Sequence, residues 1–229
     1  MKLIYALTLP IVLLSGIFGL IETKKITLTD GSKVDYNIDE NKALNGAYTV
    51  SSPNDKVWLR GSYKDNARIG NWYCFNSDGS MVLRYSYDLK KIIAIDDKML
   101  AKISFSIKDK DESIKEKATV PVPICSIDQY VSLFNEQIYS IITKEQKNLP
   151  KELPVDIIAS INAKGAVTYK LGYTINGLNF TNKLVVIEKM YDLEWAPAMY
   201  EGKIVPSDVV ISSKLVLDGN KLQRFIWNY

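Results

Sequence analysis

Few side chains in this chain are able to do covalent chemistry. There is no histidine, which removes Ser-His-Asp and Cys-His nucleophile arrangements, histidine-ligated zinc and imidazole proton shuttles. The two cysteines, Cys74 and Cys125, stand 51 residues apart, a spacing that fits no metal motif. In an oxidising compartment they suit one disulfide joining the two halves; two buried, unpaired thiols are the alternative. Asp96, Asp97, Asp192 and Glu194 are the acids that would serve a hydrolase of envelope polymers acting through a carboxylate pair. Such a pair needs an apolar cleft to separate its two pKa values, and nothing around these residues marks one. Surface acids are the simpler reading. No residue set asks for a metal or a cofactor, and no catalytic residue is assigned.

The chain has 229 residues, 47% of them hydrophobic and 24% charged, a composition that builds an ordinary globular core. A formal charge of +3 is too near neutral to argue for nucleic acid as a partner. Fourteen tyrosines suit β-sheet packing or a recognition face. After Met1-Lys2 an apolar run extends from Leu3 to Ile21, interrupted by Thr8, Pro10 and Ser15. A short basic start before an apolar run outlines a secretory signal. The same run is long enough to serve as an uncleaved N-terminal anchor, the only membrane contact expected. Either reading of residues 1–21 places the remainder outside the cytoplasm, in the periplasm or secreted.

The element that organises the first half is a unit repeated at a spacing of 24 residues, over 46–69 and 70–93. Gly46, Leu59, Arg60, Ser62 and Tyr63 recur as Gly70, Leu83, Arg84, Ser86 and Tyr87, and Tyr48 is matched by Trp72. A fainter copy lies upstream, where Asp30-Gly31-Ser32 matches Asp78-Gly79-Ser80. Repetition at this period means stacked units that bury their faces against each other. Each unit reads as a β-hairpin with Asp-Gly or Asn-Asp at the turn. An exposed row, Tyr73, Tyr85 and Tyr87, would form an aromatic platform for a ligand such as glycan; sheet packing is the alternative use of these rings. The second copy, Gly61-x-Tyr63 followed by Gly70-x-Trp72 and Gly79, resembles the MORN-type repeats of the YwqK-like antitoxin family. That resemblance implies a hairpin architecture and raises a toxin-neutralising role as one alternative. Strands at Ile92–Ile95 and Leu100–Ile107 are expected to extend the same sheet. The charged stretch Lys108–Lys117 reads as a solvated loop, and Val120-Pro121-Val122-Pro123 as the boundary between domains spanning 22–119 and 120–229.

In the second half Ser126 and Gln129 form a capping-box start. Apolar residues at helical spacing then predict one helix to about Lys147. Val155–Asn162 and Ala166–Ile175 read as a hairpin around Ala163-Lys164-Gly165. A second helix is predicted from Thr181 or Asn182 through Tyr191, then a corner at Trp195, Pro197 and Gly202, and a last hairpin turning at Asp218-Gly219-Asn220. The stretches Val155–Val167 and Trp195-Ala-Pro197-Ala198-Met-Tyr-Glu-Gly202-Lys203-Ile-Val205 resemble the C-terminal domain of TonB-like proteins. The resemblance implies a helix–hairpin–helix–strand module that takes an extended peptide along a sheet edge. The edge it implies is Val209 to Leu217, with Val209, Ile211 and Leu215 on it and Lys214 and Arg224 steering an acidic segment. Coverage of that edge by the repeat half is the alternative.

Taken together, the expected fold is α+β: an antiparallel β-hairpin repeat sheet followed by a small TonB-C-like domain. The expected function is a non-enzymatic binding or scaffolding protein of the bacterial envelope, with an envelope or outer-membrane protein as partner.

Overall fold

The structure is a computed structural model that describes residues 21–145, 149–186, 193–218 and 221–226. The apolar run expected to act as signal or anchor lies outside the described residues, apart from Ile21. Among the described residues no helix is long and apolar enough to cross a membrane.

The first sheet is an antiparallel meander of seven strands in chain order: β1 (Glu22–Thr27), β2 (Lys33–Ile38), β3 (Leu44–Ser51), β4 (Val57–Lys64), β5 (Ala67–Phe75), β6 (Met81–Ser86) and β7 (Lys91–Ile95). Its turns carry the sequence spacing. Gly31, Asp55 and Gly79 all have positive φ, at 78°, 61° and 85°, so the chain reverses identically at intervals of 24 residues. In the outer two of these turns an aspartate takes the amide of the serine two residues on, Asp30 from Ser32 at 2.9 Å and Asp78 from Ser80 at 2.8 Å. One face of the sheet is buried. There Tyr48, Tyr63, Trp72 and Tyr87 meet ring to ring at centroid separations of 5.1 to 5.6 Å. Gly61 is the floor of this ladder: a Cβ there would stand 2.2 Å from the Trp72 ring, so only glycine lets the indole lie on the strand.

After β7 come a short helix α1 (Asp97–Leu100), strand β8 (Ser104–Ile107) and helix α2 (Glu112–Lys117). The strand expected over Leu100–Ile107 is thus shorter, and it does not extend the first sheet. β8 crosses over and pairs antiparallel with residues 207–210 of the second sheet. The hydrogen-bonded division of the chain therefore precedes the Val120–Pro123 segment. That segment instead supplies β9 (Val122–Pro123), which is fully buried.

Helices α3 (Ile127–Ser132) and α4 (Asn135–Glu145) replace the single predicted helix, with a break at Leu133 and Phe134. The Ser126 hydroxyl accepts from the Gln129 amide at 3.2 Å, as an N-cap does. The second sheet follows, formed by β10 (Glu152–Ile161), β11 (Val167–Ile175), β12 (Leu178–Leu184), β16 (Ser207–Asp218) and β17 (Lys221–Ile226) in the order β12-β11-β10-β16-β17, with β8 added beside β16. Small pairs fill the corner before β16: β13 (Trp195–Ala196) with β9, and β14 (Met199–Tyr200) with β15 (Lys203–Ile204). The helix expected from Thr181 or Asn182 through Tyr191 is corrected at its start by β12, a strand over Leu178–Leu184, and its last residues, 187–191, lie outside the described residues. The reason is local. Asn176 and Gly177 both have positive φ, 53° and 77°, and this Asn-Gly pair closes a two-residue hairpin that commits the following residues to pair with β11.

Apolar side chains from both sheets and from α3 and α4 join one continuous buried cluster. Polar ties cross between the halves as well. The Asp128 carboxylate accepts from the Ser77 amide at 2.9 Å and from its hydroxyl at 2.6 Å, and the Ser132 hydroxyl donates to Asp30. The architecture is a β-rich α+β fold. Both cysteines are buried thiols that share no disulfide.

Candidate functional site

The strongest electrostatic feature is Arg68 on β5. Alternation along β5 places Arg68, Trp72 and Cys74 on the buried face. The Arg68 side chain is only 3% exposed and lies within 3.1 Å of the Glu194 carboxylate, which is 35% exposed. Its guanidinium sits 4.4 Å from the Trp72 ring centre. Arg68 Nε donates to the Tyr63 hydroxyl at 3.0 Å and Nη1 to the Tyr87 hydroxyl at 2.9 Å. The repeat ladder thus forms an aromatic cage that holds a cation of the chain itself. Burial pushes the Tyr87 phenol far up; Arg68 opposes the shift and Glu194 adds to it. Tyr85 is also raised, by burial and then by Glu194. Neither phenol ionises near neutrality. The Cys74 thiol is held protonated by burial, against the pull of Arg68, so it is no nucleophile.

Beside this cage lies a cleft of about 560 Å³. One wall comes from the core side of the first sheet at its β7 edge: Tyr85 on β6, Lys90, and Lys91 and Ile92 on β7. The other wall is the corner, with Ala196, Pro197, Met199 and Ile204, and Thr119 between. Thr119 fixes that corner: its amide donates to the Met199 carbonyl at 2.9 Å and its hydroxyl accepts from the Met199 amide at 2.9 Å. Gly202, with φ 76°, makes the tight turn that brings β14 back as β15. Lys90 and Lys91 are exposed at the mouth, and neither has an ion-pair partner among the described residues. Among the described residues β7 is the last strand of its sheet and pairs only with β6. An open strand edge therefore borders an apolar cleft with two amines at its rim.

The expected sites are redistributed. The edge predicted at Val209, Ile211, Lys214 and Leu215 is not open. β16 is paired along its length with β10 on one side. On the other it meets β8 at residues 207–210 and β17, which carries Arg224, at residues 214–218. The cover on that side therefore comes from both halves, β8 over Ser207–Val210 and β17 over Lys214–Asp218. Val209, Ile211 and Leu215 are buried, and Lys214 is engaged with Glu152 at 2.9 Å. The aromatic platform is split. Tyr85 pairs with Trp72 across the strands and shares its face, whereas Tyr73 pairs with Arg84 on the opposite face, because successive side chains alternate. Tyr87 is packed into the cage. Gly79 takes positive φ at a turn, and Gly70 takes positive φ inside β5, where the register with β4 shifts. Trp195 packs on Tyr130 and donates to the Tyr169 hydroxyl at 2.9 Å.

Three of the four acids weighed as a catalytic pair lie among the described residues. Asp96 caps α1, taking the Lys98 amide at 2.9 Å; Asp97 follows in its first turn. Glu194 is bound to Arg68, and Asp192 lies outside the described residues. Among the described residues no group of three or more metal-ligating side chains is assembled. Comparison of the chain with protein-family models, with curated proteins and with solved structures returns no match in any of the three. The resemblances to MORN-type repeats and to TonB-like domains therefore rest on the motifs alone.

Two features of the site had no part in the sequence reading. Arg68 was signalled only by its place in the alternation Arg68, Gly70, Trp72, Cys74. The cleft had no local signal, because its walls come from segments about a hundred residues apart.

Proposed function

We propose that this protein is a non-catalytic binding protein that holds an extended apolar peptide with an acidic end, added as a strand to β7. The observation that carries the proposal is the juxtaposition of an unpaired edge strand with an apolar cleft. Strand addition gives affinity through main-chain hydrogen bonds, and a pocket for alternate side chains gives specificity. Tyr85, Ile92, Met199 and Ile204 supply the pocket, and the Lys90 and Lys91 amines meet the carboxylates. A cleft of this size accommodates one or two large apolar side chains. The signal-like N-terminus supports an extracytoplasmic setting and the envelope protein expected as partner.

The test is an NMR titration of the full chain with an apolar peptide ending in two glutamates. The expected result is perturbed amides across Lys91–Ile95 together with shifted Met199 and Ile204 methyls. Reversing Lys90 and Lys91 to glutamate together should weaken binding by tenfold or more. Binding that leaves the β7 amides unmoved, or equal binding by a simple fatty acid, overturns strand addition.

A further inference from the structure

The face of the first sheet turned away from the core carries a second feature, independent of the cleft. Cross-strand pairing aligns Lys25, Asp35, Thr49, Arg60, Tyr73 and Arg84 in one row across six strands. Directly paired residues point to the same side of a sheet. At one end of the row, Lys25 and Asp35 neutralise each other at 3.2 Å. At the other end, Arg60 and Arg84 flank Tyr73, and neither has a carboxylate partner among the described residues. The Arg60 guanidinium lies 5.3 Å from the Tyr73 ring centre and 5.2 Å from that of Phe75. Met81, paired with Phe75, is 43% exposed. Arg84 has its Nε shielded from water with no hydrogen-bond acceptor among the described residues. A partly buried guanidinium without a counter-charge is costly, and an acidic group from outside would offset that cost.

We infer that this face is a docking surface for an extended acidic protein segment. The occupant follows from the spacing and from what the rings already touch. Arg60 and Arg84 are two strands apart, roughly 10 Å at ordinary strand spacing. A polyproline II segment rises about 3.1 Å per residue with three residues per turn, so carboxylates at every third residue fall on one side about 9 Å apart. That matches the two guanidinium groups. A sugar ring does not fit as well. The Tyr73 and Phe75 rings that would stack against it already hold the Arg60 guanidinium, which a sugar would have to displace. Met81 is left to receive an apolar residue of the same segment. With the cleft on the core side of this sheet, the protein then carries two contact surfaces on opposite faces, as a scaffold does.

The probe is a fluorescent peptide of repeated Glu-Pro-Pro, which fixes both the conformation and the carboxylate spacing. Its binding to the full chain is read by anisotropy at low salt. Arg60→Gln and Arg84→Gln should each weaken binding about tenfold, and Arg60→Lys should weaken it several-fold, since an ammonium lacks the planar fork. A repeated Lys-Pro-Pro peptide should not bind. Thermal melts of each variant establish that it folds; Arg60 is exposed, so its substitution leaves the core intact. Equal binding by the wild type and Arg60→Gln overturns the inference. So does failure of the peptide to bind, or preferential binding of a uronate polysaccharide with the same arginine dependence. Charge reversal at Lys90 and Lys91 should leave this binding unchanged, which separates it from the cleft.

Discussion

Replacing Arg68 by methionine tests the central claim about how the two halves are joined. The substitution keeps an unbranched apolar stem but removes the charged guanidinium. Four interactions go: two hydrogen bonds to tyrosine hydroxyls at 3.0 and 2.9 Å, the stacking on Trp72 at 4.4 Å, and the contact with Glu194 at 3.1 Å. A desolvated cation–π contact is worth about 2 kcal/mol, and hydrogen bonds from a charged donor about 1.5–3 kcal/mol each. These do not add, because burying the guanidinium is itself unfavourable. Removing one member of a buried pair costs about 3–5 kcal/mol when the other is stranded. Glu194 is 35% exposed and regains water, so a loss of about 2–4 kcal/mol is expected. At an m-value of about 2 kcal/mol per molar urea, the midpoint should fall by about 1–2 M. The measurement is urea unfolding followed by tryptophan fluorescence. Glu194→Gln should cost less, and the double variant should show the two losses to be coupled. A midpoint shift below about 0.3 M for Arg68→Met, or fully additive losses, would refute the caged-cation argument.

Gly61→Ala should be among the most damaging single-methyl additions. The new Cβ would stand 2.2 and 2.3 Å from two ring carbons of the fully buried Trp72, which the surrounding tyrosines hold in place. Overpacking of this kind costs roughly 3 kcal/mol or more, seen as a lowered Tm and an altered near-ultraviolet circular dichroism signal; a loss under about 0.5 kcal/mol would contradict the packing. Asp208 makes the fold acid-sensitive. Burial raises its pKa, but the Lys108 bond at 2.5 Å and the nearby cations outweigh this and leave it lowered. A carboxylate with a lowered folded pKa contributes stability above the unfolded value, near 3.9, and loses it as pH falls through the folded one. Lys108 is about half exposed, so the effect should be below about 1 kcal/mol. Asp208→Asn should therefore flatten the stability profile below about pH 4, and the hydrogen-exchange protection of β8, corrected for the intrinsic rate at each pH, should fall in acid for the wild type alone.

The repeat half was legible because its signals are local. The 24-residue spacing puts turn residues at 31, 55 and 79, and each turn dictates the register of its hairpin. Tyr48 and Trp72, matched in the sequence, meet in the ladder because equal spacing along a meander returns them to the same face. The second half was less legible, although one signal was present and passed over. Asn176-Gly177 is a strong two-residue hairpin turn, and it outweighs the apolar spacing at Leu184 and beyond that suggested a helix. What no local pattern conveys is which strand lies beside which. β16 alternates buried and half-buried residues in the same way whether it sits at an edge or in the middle. Its central place is fixed by β10, β8 and β17, which lie far away or follow it in sequence. The cleft inherits the same difficulty, since β7 is an edge only because β8 leaves for the other sheet.

That departure also sets the order in which the molecule is able to form. The partner of Ile107 is Ser207, so a large loop must close before β8 has anywhere to go, and pairings this distant in sequence are slow. Synthesis delivers the hairpins of the first sheet early, yet β8 stays unpaired until residues 207–210 emerge. Severing the chain at the proline-rich stretch near 120 would leave one fragment with a stray strand and the other with an exposed flank. The two halves are best regarded as one cooperative unit, a chain to be made and engineered whole.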